Sequence, residues 1–557
     1  MEYRKVSPAR LFAVLKYLAL LAVGFPSLAA AQAPGAPMPA SRCGSLATLR
    51  LPDTVIVSAT MVEDAATTLK IQSLSGLPAF CRVVARVRAA PDSDVGVEIW
   101  LPVQGWTGIF HGNGNGGFAG TLQAGYSGMA SGLRRGYATA TTDTGTAPAT
   151  VLNADALIGH PRKWKDWGRL STHVMTVTGK AIARAYYGHG VSRSFYTGCS
   201  TGGQQGLIEA LYYPQDYDGI LVGAPVVNRT WGHAAVLWDF AAANGTPGSL
   251  LTDAKLRSLN AAAVTACNGQ GHGVPGDAFI TDPLACRFDP QEIACQGPPT
   301  DQCLTAAEVA TARAFYSGPV TRDGRPAFFG WPLGSEGPGR SGWSFLESAA
   351  NGQPQFSSLF KWVFGAGWDW HGFDWDRDMA KVDATLGPDV NDATRGSLRA
   401  FAARGGRLII YQGWADSLVP PAQTVAFYER QARALGGMAK LQRSARLFMV
   451  PGVMHCGGGT GPDSFNSALG NLPPPPVKGP GDDLFSALVE WDGKAKVPDR
   501  VVATKFETGT PGKIAFQRPI CPYPQTAHYK GSGSTSVAEN FTCSVEPVGA
   551  GRSAGTH

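Results

Sequence analysis

The sequence predicts an α/β protein, with a mostly parallel sheet that is interrupted by one long insertion and then resumes. Three observations carry this. Short apolar runs alternate with helical patterns on both sides of the insertion, the arrangement that builds parallel sheets. One such run, beginning at Arg193, ends in Gly198-Cys199-Ser200-Thr201-Gly202-Gly203 and passes into the helical stretch 204–211, so that strand, tight turn and helix follow in order. Across residues 226–384 the alternation stops, and loops, four cysteines and many aromatic residues replace it.

A chain of 557 residues exceeds one hydrophobic core and calls for a large domain with an insertion, or for several smaller domains. Its charged fraction is 16% and its net charge is +6, with no Lys/Arg cluster, so no nucleic-acid partner is expected. The N-terminus carries Arg4, Lys5 and Arg10, then an apolar stretch to Phe25, then Ala29-Ala30-Ala31. That order predicts a signal peptide over residues 1–31 and a secreted or periplasmic protein. The apolar stretch is short and broken by Lys16, which argues against the competing reading of an uncleaved anchor. No membrane association is expected once the signal is removed. Residues 32–42, rich in Ala and Pro, read as a linker.

The mature domain opens at Cys43. Strands are expected over 95–103, 107–110 and 136–142, with the glycine-rich stretch His111 to Gly120 following the second. A helix over 170–187 leads to the strand that feeds Ser200, and 218–223 is the next strand, closing a first core segment at 43–225. In the insertion, 226–384, six of the 14 tryptophans lie between Trp331 and Trp375, accompanied by Phe345, Phe356, Phe360, Phe364 and Phe373. Most of these rings are expected to form the insertion's own core, and a few to line a pocket for a flat apolar or aromatic group. The second core segment, 385–557, holds a strand at 406–411, a helix at 421–435, a strand at 446–450 and a helix at 484–491.

A serine hydroxyl is a weak nucleophile at neutral pH and needs an adjacent base, itself oriented by a carboxylate. In such a sheet the acid and then the histidine follow the serine, each in a loop after a strand. Asp416 and His455 stand in those places; the competing readings are a capping or turn carboxylate for Asp416 and an ordinary loop histidine for His455. Cys199 precedes Ser200 and Cys456 follows His455. If these two paired, the serine and histidine would be pinned side by side across the sequence. Preset donors for a developing oxyanion are the Thr201 amide and one glycine amide, Gly117 or Gly116. The rival reading of the glycine loop, a phosphate cradle, lacks the Gly-Lys-Ser/Thr ending. Catalysis by these groups needs no cofactor. The ten cysteines all lie beyond the signal, and their even number in an exported chain favours disulfides over zinc, since no Cys-x-x-Cys occurs.

Four motifs, Gly198-Cys-Ser-Thr-Gly-Gly203, Gly114-Asn-Gly-Gly-Phe-Ala-Gly120, Gly413-Trp-Ala-Asp416 and Gly452-Val-Met-His-Cys456, resemble those of the tannase and feruloyl esterase family, which includes mono(2-hydroxyethyl) terephthalate hydrolases. The resemblance implies an α/β-hydrolase core with a large, disulfide-containing lid insertion, a triad of Ser200, Asp416 and His455, and a Cys199–Cys456 bridge. It implies four further bridges, Cys43–Cys81, Cys267–Cys286, Cys295–Cys303 and Cys521–Cys543. It also implies a structural calcium site in the lid, built from acidic residues between two cysteines. Here Asp277 and Asp282 remain, while Asn268 and His272 stand where carboxylates are expected. Two readings stay open: one calcium ion held by Asp277 and Asp282, or a metal-free loop held by its bridge.

The function these features point to is a secreted serine carboxylester hydrolase. Its small-molecule substrate would be an ester of a hydroxylated aromatic or cinnamic acid, cleaved through an acyl-enzyme. A terephthalate monoester hydrolase is the alternative, and it would need a cationic or polar anchor for the free carboxylate, with Lys361, Arg340 and Arg377 as the cations of the insertion. A non-catalytic secreted binding protein and a peptidase are alternatives from other classes on the same fold.

Overall fold

Nine strands hydrogen-bond into one sheet: β1 (Thr54–Val62), β2 (Phe80–Val87), β3 (Val95–Pro102), β4 (Ile109–Asn113), β5 (Ala138–Thr142), β6 (Arg193–Cys199), β7 (Gly219–Gly223), β8 (Arg407–Gly413) and β9 (Ala445–Val450). Their order is β1-β2-β3-β5-β4-β6-β7-β8-β9. The β1, β2, β3 and β5 neighbours pair antiparallel, and every pair from β5 to β9 is parallel. The computed structural model describes residues 40–545 except 275, 340, 470–474 and 477–478. The expected signal peptide, most of the expected linker and Arg340 lie outside the described residues. Part of that linker is ordered differently, because a short helix, Ala40–Ser45, begins inside it and carries Cys43.

β5, β7 and β9 are buried along their whole length, because helices cover both faces of the parallel part. The helices of seven or more residues are α1 (Tyr126–Arg134), α2 (Ser171–Tyr187), α3 (Thr201–Tyr212), α4 (Arg229–Asn244), α5 (Asp253–Gly269), α6 (Ala306–Ser317), α7 (Ser358–Phe364), α8 (Arg377–Val390), α9 (Pro421–Leu435) and α10 (Leu484–Lys494). Alternation along β7 splits its side chains between two cores. Ile220 and Val222 join Phe110, Tyr196 and Tyr428 on one face, while Leu221 joins Phe195, Phe485 and Trp491 on the other. Two antiparallel pairs, β10 (Val501–Phe506) with β11 (Ile514–Ile520) and β12 (Thr526–Tyr529) with β13 (Phe541–Ser544), follow α10.

The segment between β7 and β8 carries α4 to α8. Its tryptophans build cores: Trp331 and Trp343 pack with Leu256 and Phe315, and Trp362 and Trp368 pack with Phe118, Trp164 and Trp167 from the first core segment. The Trp164 and Trp362 rings stack with centroids 5.6 Å apart. The expected boundary at 384–385 falls inside α8, whose Val390 carbonyl accepts from Gln204 Nε2 of α3 at 2.7 Å. That helix is therefore tied to α3 before the chain re-enters the sheet. All five bridges that the resemblance implies are present: Cys43–Cys81, Cys199–Cys456, Cys267–Cys286, Cys295–Cys303 and Cys521–Cys543. Among the described residues no helix is long and apolar enough to cross a membrane.

Trp343 is fully buried against Phe315 and Tyr316. Replacing it with alanine should cost about 3–5 kcal/mol through lost burial and the cavity left behind. Leu284, which is 58% exposed, should tolerate the same change with an effect of about 0.5 kcal/mol or less. Denaturant midpoints for the two variants check this, and equal losses would contradict the packing described.

Candidate active site

The turn between β6 and α3 holds Ser200 at φ 63° and ψ −120°, a backbone conformation that L-residues rarely adopt. It is held there by hydrogen bonds. The Ser200 amide donates to the Gly223 carbonyl at 3.0 Å, and its own carbonyl accepts from the Gln204 amide at 3.0 Å. The turn is tight enough that a Cβ on Gly198 would lie 2.6 Å from the Gly202 carbonyl oxygen, so the glycine at 198 is a packing requirement. Ser200 is left half-buried at the mouth of α3.

Asp416 lies in the loop after β8 and is fully buried. Its carboxylate accepts from His455 Nδ1 at 3.0 and 3.1 Å, from Gln412 Nε2 at 2.9 Å, and from the Leu418 and Val419 amides at 2.9 and 3.0 Å. A carboxylate only accepts, so the proton sits on Nδ1 and Nε2 of His455 is left as the basic nitrogen. Asp416 does not cap the following helix, which begins at Pro421 without a side-chain cap; its two amide bonds close a turn ahead of that helix, and the histidine contact is added to them. His455 follows β9, and the Cys199–Cys456 bridge brings the flanking Cα atoms to 5.9 Å. Ser200 and His455 line one cavity of about 940 Å³.

Gly116 and Gly117 line the same cavity, opposite the start of α3. Gly117 has φ +54°, and a Cβ there would collide with the Val151 carbonyl oxygen. The Gly117 carbonyl accepts from Thr201 Oγ1 at 2.9 Å and from Trp167 Nε1 at 3.1 Å. Among the described residues neither the Gly116 nor the Gly117 amide is spent on another group, and Thr201 is the first residue of α3, where helix amides are free. The structure thus brings together all six residues expected at the site.

The aromatic expectation divides between the two kinds of ring. The six tryptophans between 331 and 375 pack into cores and none lines the cavity, while two of the phenylalanines expected with them, Phe345 and Phe356, line it with Val151, Leu152, Val236 and Leu469. The cations expected for a substrate carboxylate are also elsewhere: Lys361 pairs with Asp155 at 2.7 Å and Arg377 with Asp378 at 2.7 Å. Arg229 and His233, one turn apart on α4, line the cavity and were not foreseen. Burial together with Arg229 pushes the His233 pKa down to about 3, so this imidazole is neutral and contributes no charge. The only sequence hint of Arg229 is an arginine directly after the helix-capping Asn228, at the start of an otherwise apolar helix face.

A family model described as tannase and feruloyl esterase matches residues 81–544. The chain is 37% identical to an uncharacterized esterase of Xanthomonas campestris pv. campestris, over 91% of this chain and 92% of the relative. It is 32% identical to the mono(2-hydroxyethyl) terephthalate hydrolase of Piscinibacter sakaiensis, over 85% of this chain and 86% of that one. Feruloyl esterase B from Aspergillus oryzae superposes with a TM-score of 0.79 at 24% identity, over 91% of this chain and all of that one. The fold is accordingly an α/β-hydrolase fold.

The loop closed by Cys267–Cys286 is where calcium is implied. Asp277 Oδ1 instead accepts from Arg518 Nη2 at 2.7 Å, and that guanidinium lies over the Phe541 ring, 4.5 Å from its centroid. Asp282 Oδ1 accepts from the Leu284 amide at 3.2 Å. Asn268 Nδ2 donates to the Asp277 carbonyl at 2.9 Å, and the Asn268 Oδ1, His272 Nδ1 and Asp277 Oδ2 atoms are buried without a hydrogen-bond partner. Calcium takes six to eight oxygens with substantial negative charge. Two carboxylates, one of them already matched by a guanidinium, with an amide and an imidazole in place of further acids, do not fit it. Arg518 supplies the positive charge that Asp277 requires. Neither millimolar calcium nor a chelator should therefore move the melting temperature, measured by differential scanning fluorimetry. A calcium-dependent rise of several degrees would contradict this account of the loop.

Proposed function

This chain belongs to the tannase and feruloyl esterase family, and from that premise we propose that it is an exported serine carboxylester hydrolase acting on esters of hydroxylated aromatic or cinnamic acids through an acyl-enzyme. The observation that carries the proposal is the shared cavity of Ser200 and His455, with Nδ1 of that histidine held by a buried Asp416.

In this reading His455 Nε2 takes the Ser200 proton as the hydroxyl oxygen attacks the ester carbonyl. Negative charge moves onto the carbonyl oxygen, where the Thr201 and Gly117 (or Gly116) amides stabilise it without reorganising. Collapse of the tetrahedral intermediate breaks the ester C–O bond, and the imidazolium hands its proton to the leaving alcohol. Water, deprotonated by the same nitrogen, then releases the acid and restores Ser200. Asp416 stays ionised throughout and fixes the imidazole's tautomer and direction. The apolar wall of Phe345, Phe356, Val236 and Leu469 suits a flat acyl ring.

The terephthalate monoester reading draws support from the Piscinibacter sakaiensis relative, but it requires a cationic or polar anchor free to take a carboxylate. Lys361 and Arg377 are paired with acids, and Arg229 commits Nε and Nη2 to Gln204 and Thr201. Among the described residues these three cations are engaged with other groups, which favours esters of neutral aromatic acids. Export is supported by the five disulfides, which persist in oxidising compartments.

Ser200→Ala should lower kcat on methyl ferulate or methyl gallate by about 10⁴–10⁶-fold, with native thermal stability, and should abolish covalent labelling by a fluorophosphonate. Undiminished turnover would remove the proposal in favour of another mechanism. A non-catalytic binding protein would fail to label even as wild type. Across a panel of feruloyl, galloyl and terephthaloyl esters and a peptide amide, kcat/KM should be highest for one of the first two. A preference for the monoester carrying a free carboxylate, or for the amide, would overturn the substrate assignment.

A further inference from the structure

Arg229 is an unusual cation for its surroundings. It stands at the start of α4, with its amide donating to Asn391 Oδ1 at 2.7 Å, and it is only 4% exposed. Among the described residues it makes no ion pair, although an isolated buried charge is costly unless something offsets it. What its guanidinium touches instead is the back of the nucleophile turn. Nε donates to Gln204 Oε1 at 2.9 Å, Nη2 donates to the same oxygen at 2.5 Å and to Thr201 Oγ1 at 3.0 Å, and the plane lies over Trp167, 4.8 Å from the ring centroid.

The direction of these bonds is set by chemistry. A guanidinium only donates, so the Thr201 hydroxyl accepts from Arg229 and its own hydrogen is free for the Gly117 carbonyl, 2.9 Å away. Trp167 Nε1 also only donates, and it takes the second lone pair of that carbonyl at 3.1 Å. Arg229, Thr201, Gly117 and Trp167 thus form a closed circuit of contacts. The circuit joins the first residue of α3 to the glycine loop after β4, the two segments that carry the amides assigned to the oxyanion. Gln204 is itself fixed, since its Nε2 donates to the Val390 carbonyl at 2.7 Å.

We propose that Arg229 is a positioning residue of the oxyanion hole: through the Thr201 hydroxyl it holds the Thr201 amide and the Gly117 (or Gly116) amide in register, and its fixed positive charge stands behind them where negative charge develops. The inference rests on the acyl-enzyme reading above and adds to it the group that aligns the two donors. Burial pulls the Arg229 pKa down to about 9, which still leaves it cationic at neutral pH. Its charge is offset most fully when the tetrahedral intermediate forms, so the interaction favours the transition state over the bound ester. A lysine would keep the charge but could not span Gln204 and Thr201 while lying flat on Trp167.

The test compares Arg229→Met, Arg229→Lys, Thr201→Val and the Arg229→Met/Thr201→Val double variant, with melting temperature measured beside kcat and KM on a soluble aromatic methyl ester. Arg229→Met should lower kcat by about 10–100-fold, less than removal of an oxyanion donor itself, and leave KM within about threefold. Arg229→Lys should recover part of the loss. Thr201→Val, which removes the hydroxyl and keeps the amide and the shape, should reproduce a loss of the same order. The double variant should be no worse than the poorer single one, because both act through one hydroxyl. The proposal is overturned if Arg229→Met or Thr201→Val keeps a native melting temperature and loses less than about threefold in kcat, or if the losses multiply in the double variant. Where Arg229→Met does not fold, Thr201→Val decides alone. Ser200→Ala separates the two levels: if it is inactive while the Arg229 and Thr201 variants are fully active, only this inference fails. If it is active, the acyl-enzyme reading fails with it.

Discussion

The bridge from Cys199 to Cys456 joins the end of β6 to the loop after β9, and the residues beside its two sulfurs are Ser200 and His455. Neighbouring strands in a sheet stand about 4.8 Å apart, so the ends of β6 and β9, three places apart, would be separated by about 14 Å if their loops rose straight from the sheet. The loop after β9 instead runs back across its neighbours. The Ala415 amide donates to the Val453 carbonyl at 3.0 Å, and Tyr411 Oη donates to the Cys456 carbonyl at 3.3 Å. The disulfide closes the remaining gap to a Cα separation of 5.9 Å. A serine and a histidine 255 positions apart in the chain are thereby presented to one cavity.

Around that covalent link the remaining parts are held by donors and acceptors with little freedom left. Asp416 satisfies four donors and so cannot rotate away from the imidazole. The glycine loop is tied to α3 through the Thr201 hydroxyl and to the core through Trp167. α4 carries Arg229 and His233 to the opposite wall, and the segment from β7 to β8 contributes Phe345 and Phe356. The chemistry therefore sits where the C-terminal ends of parallel strands meet a separately packed layer. Binding clefts form at such places because loops supply the polar groups and the layer supplies apolar walls.

Much of this was legible in the sequence, and the exceptions have physical causes. The parallel strands and the helices at 171–187 and 421–435 follow from short buried runs and strong helix boundaries. β1 and β2 escaped notice because β1 lies on the sheet edge, half exposed, with Val55 and Val57 facing solvent. The C-terminal pairs are short and only partly buried, so their pattern is weak. Ser200, Asp416 and His455 were readable because each follows a strand in the order such sheets impose. Aromatic density pointed to the right segment without separating the rings: large indoles fill cores, and two of the smaller phenyl rings reach the cavity. Arg229 was invisible because its importance comes from partners at 167, 201 and 204, which only the fold assembles. Likewise the pairing of Asp277 with Arg518 depends on a strand 241 residues further on.

The most direct measurement is the rate at which a fluorophosphonate labels Ser200 in a Cys199→Ser/Cys456→Ser protein, followed by intact mass beside a Cys521→Ser/Cys543→Ser control that loses a bridge remote from the site. If the 199–456 link aligns nucleophile and base, the first variant should label at least about tenfold more slowly than wild type at a temperature where it remains folded, and the control should label at the wild-type rate. Equal labelling rates in the folded 199/456 variant and the wild type would show that the bridge aligns nothing, and the account would fail at its base.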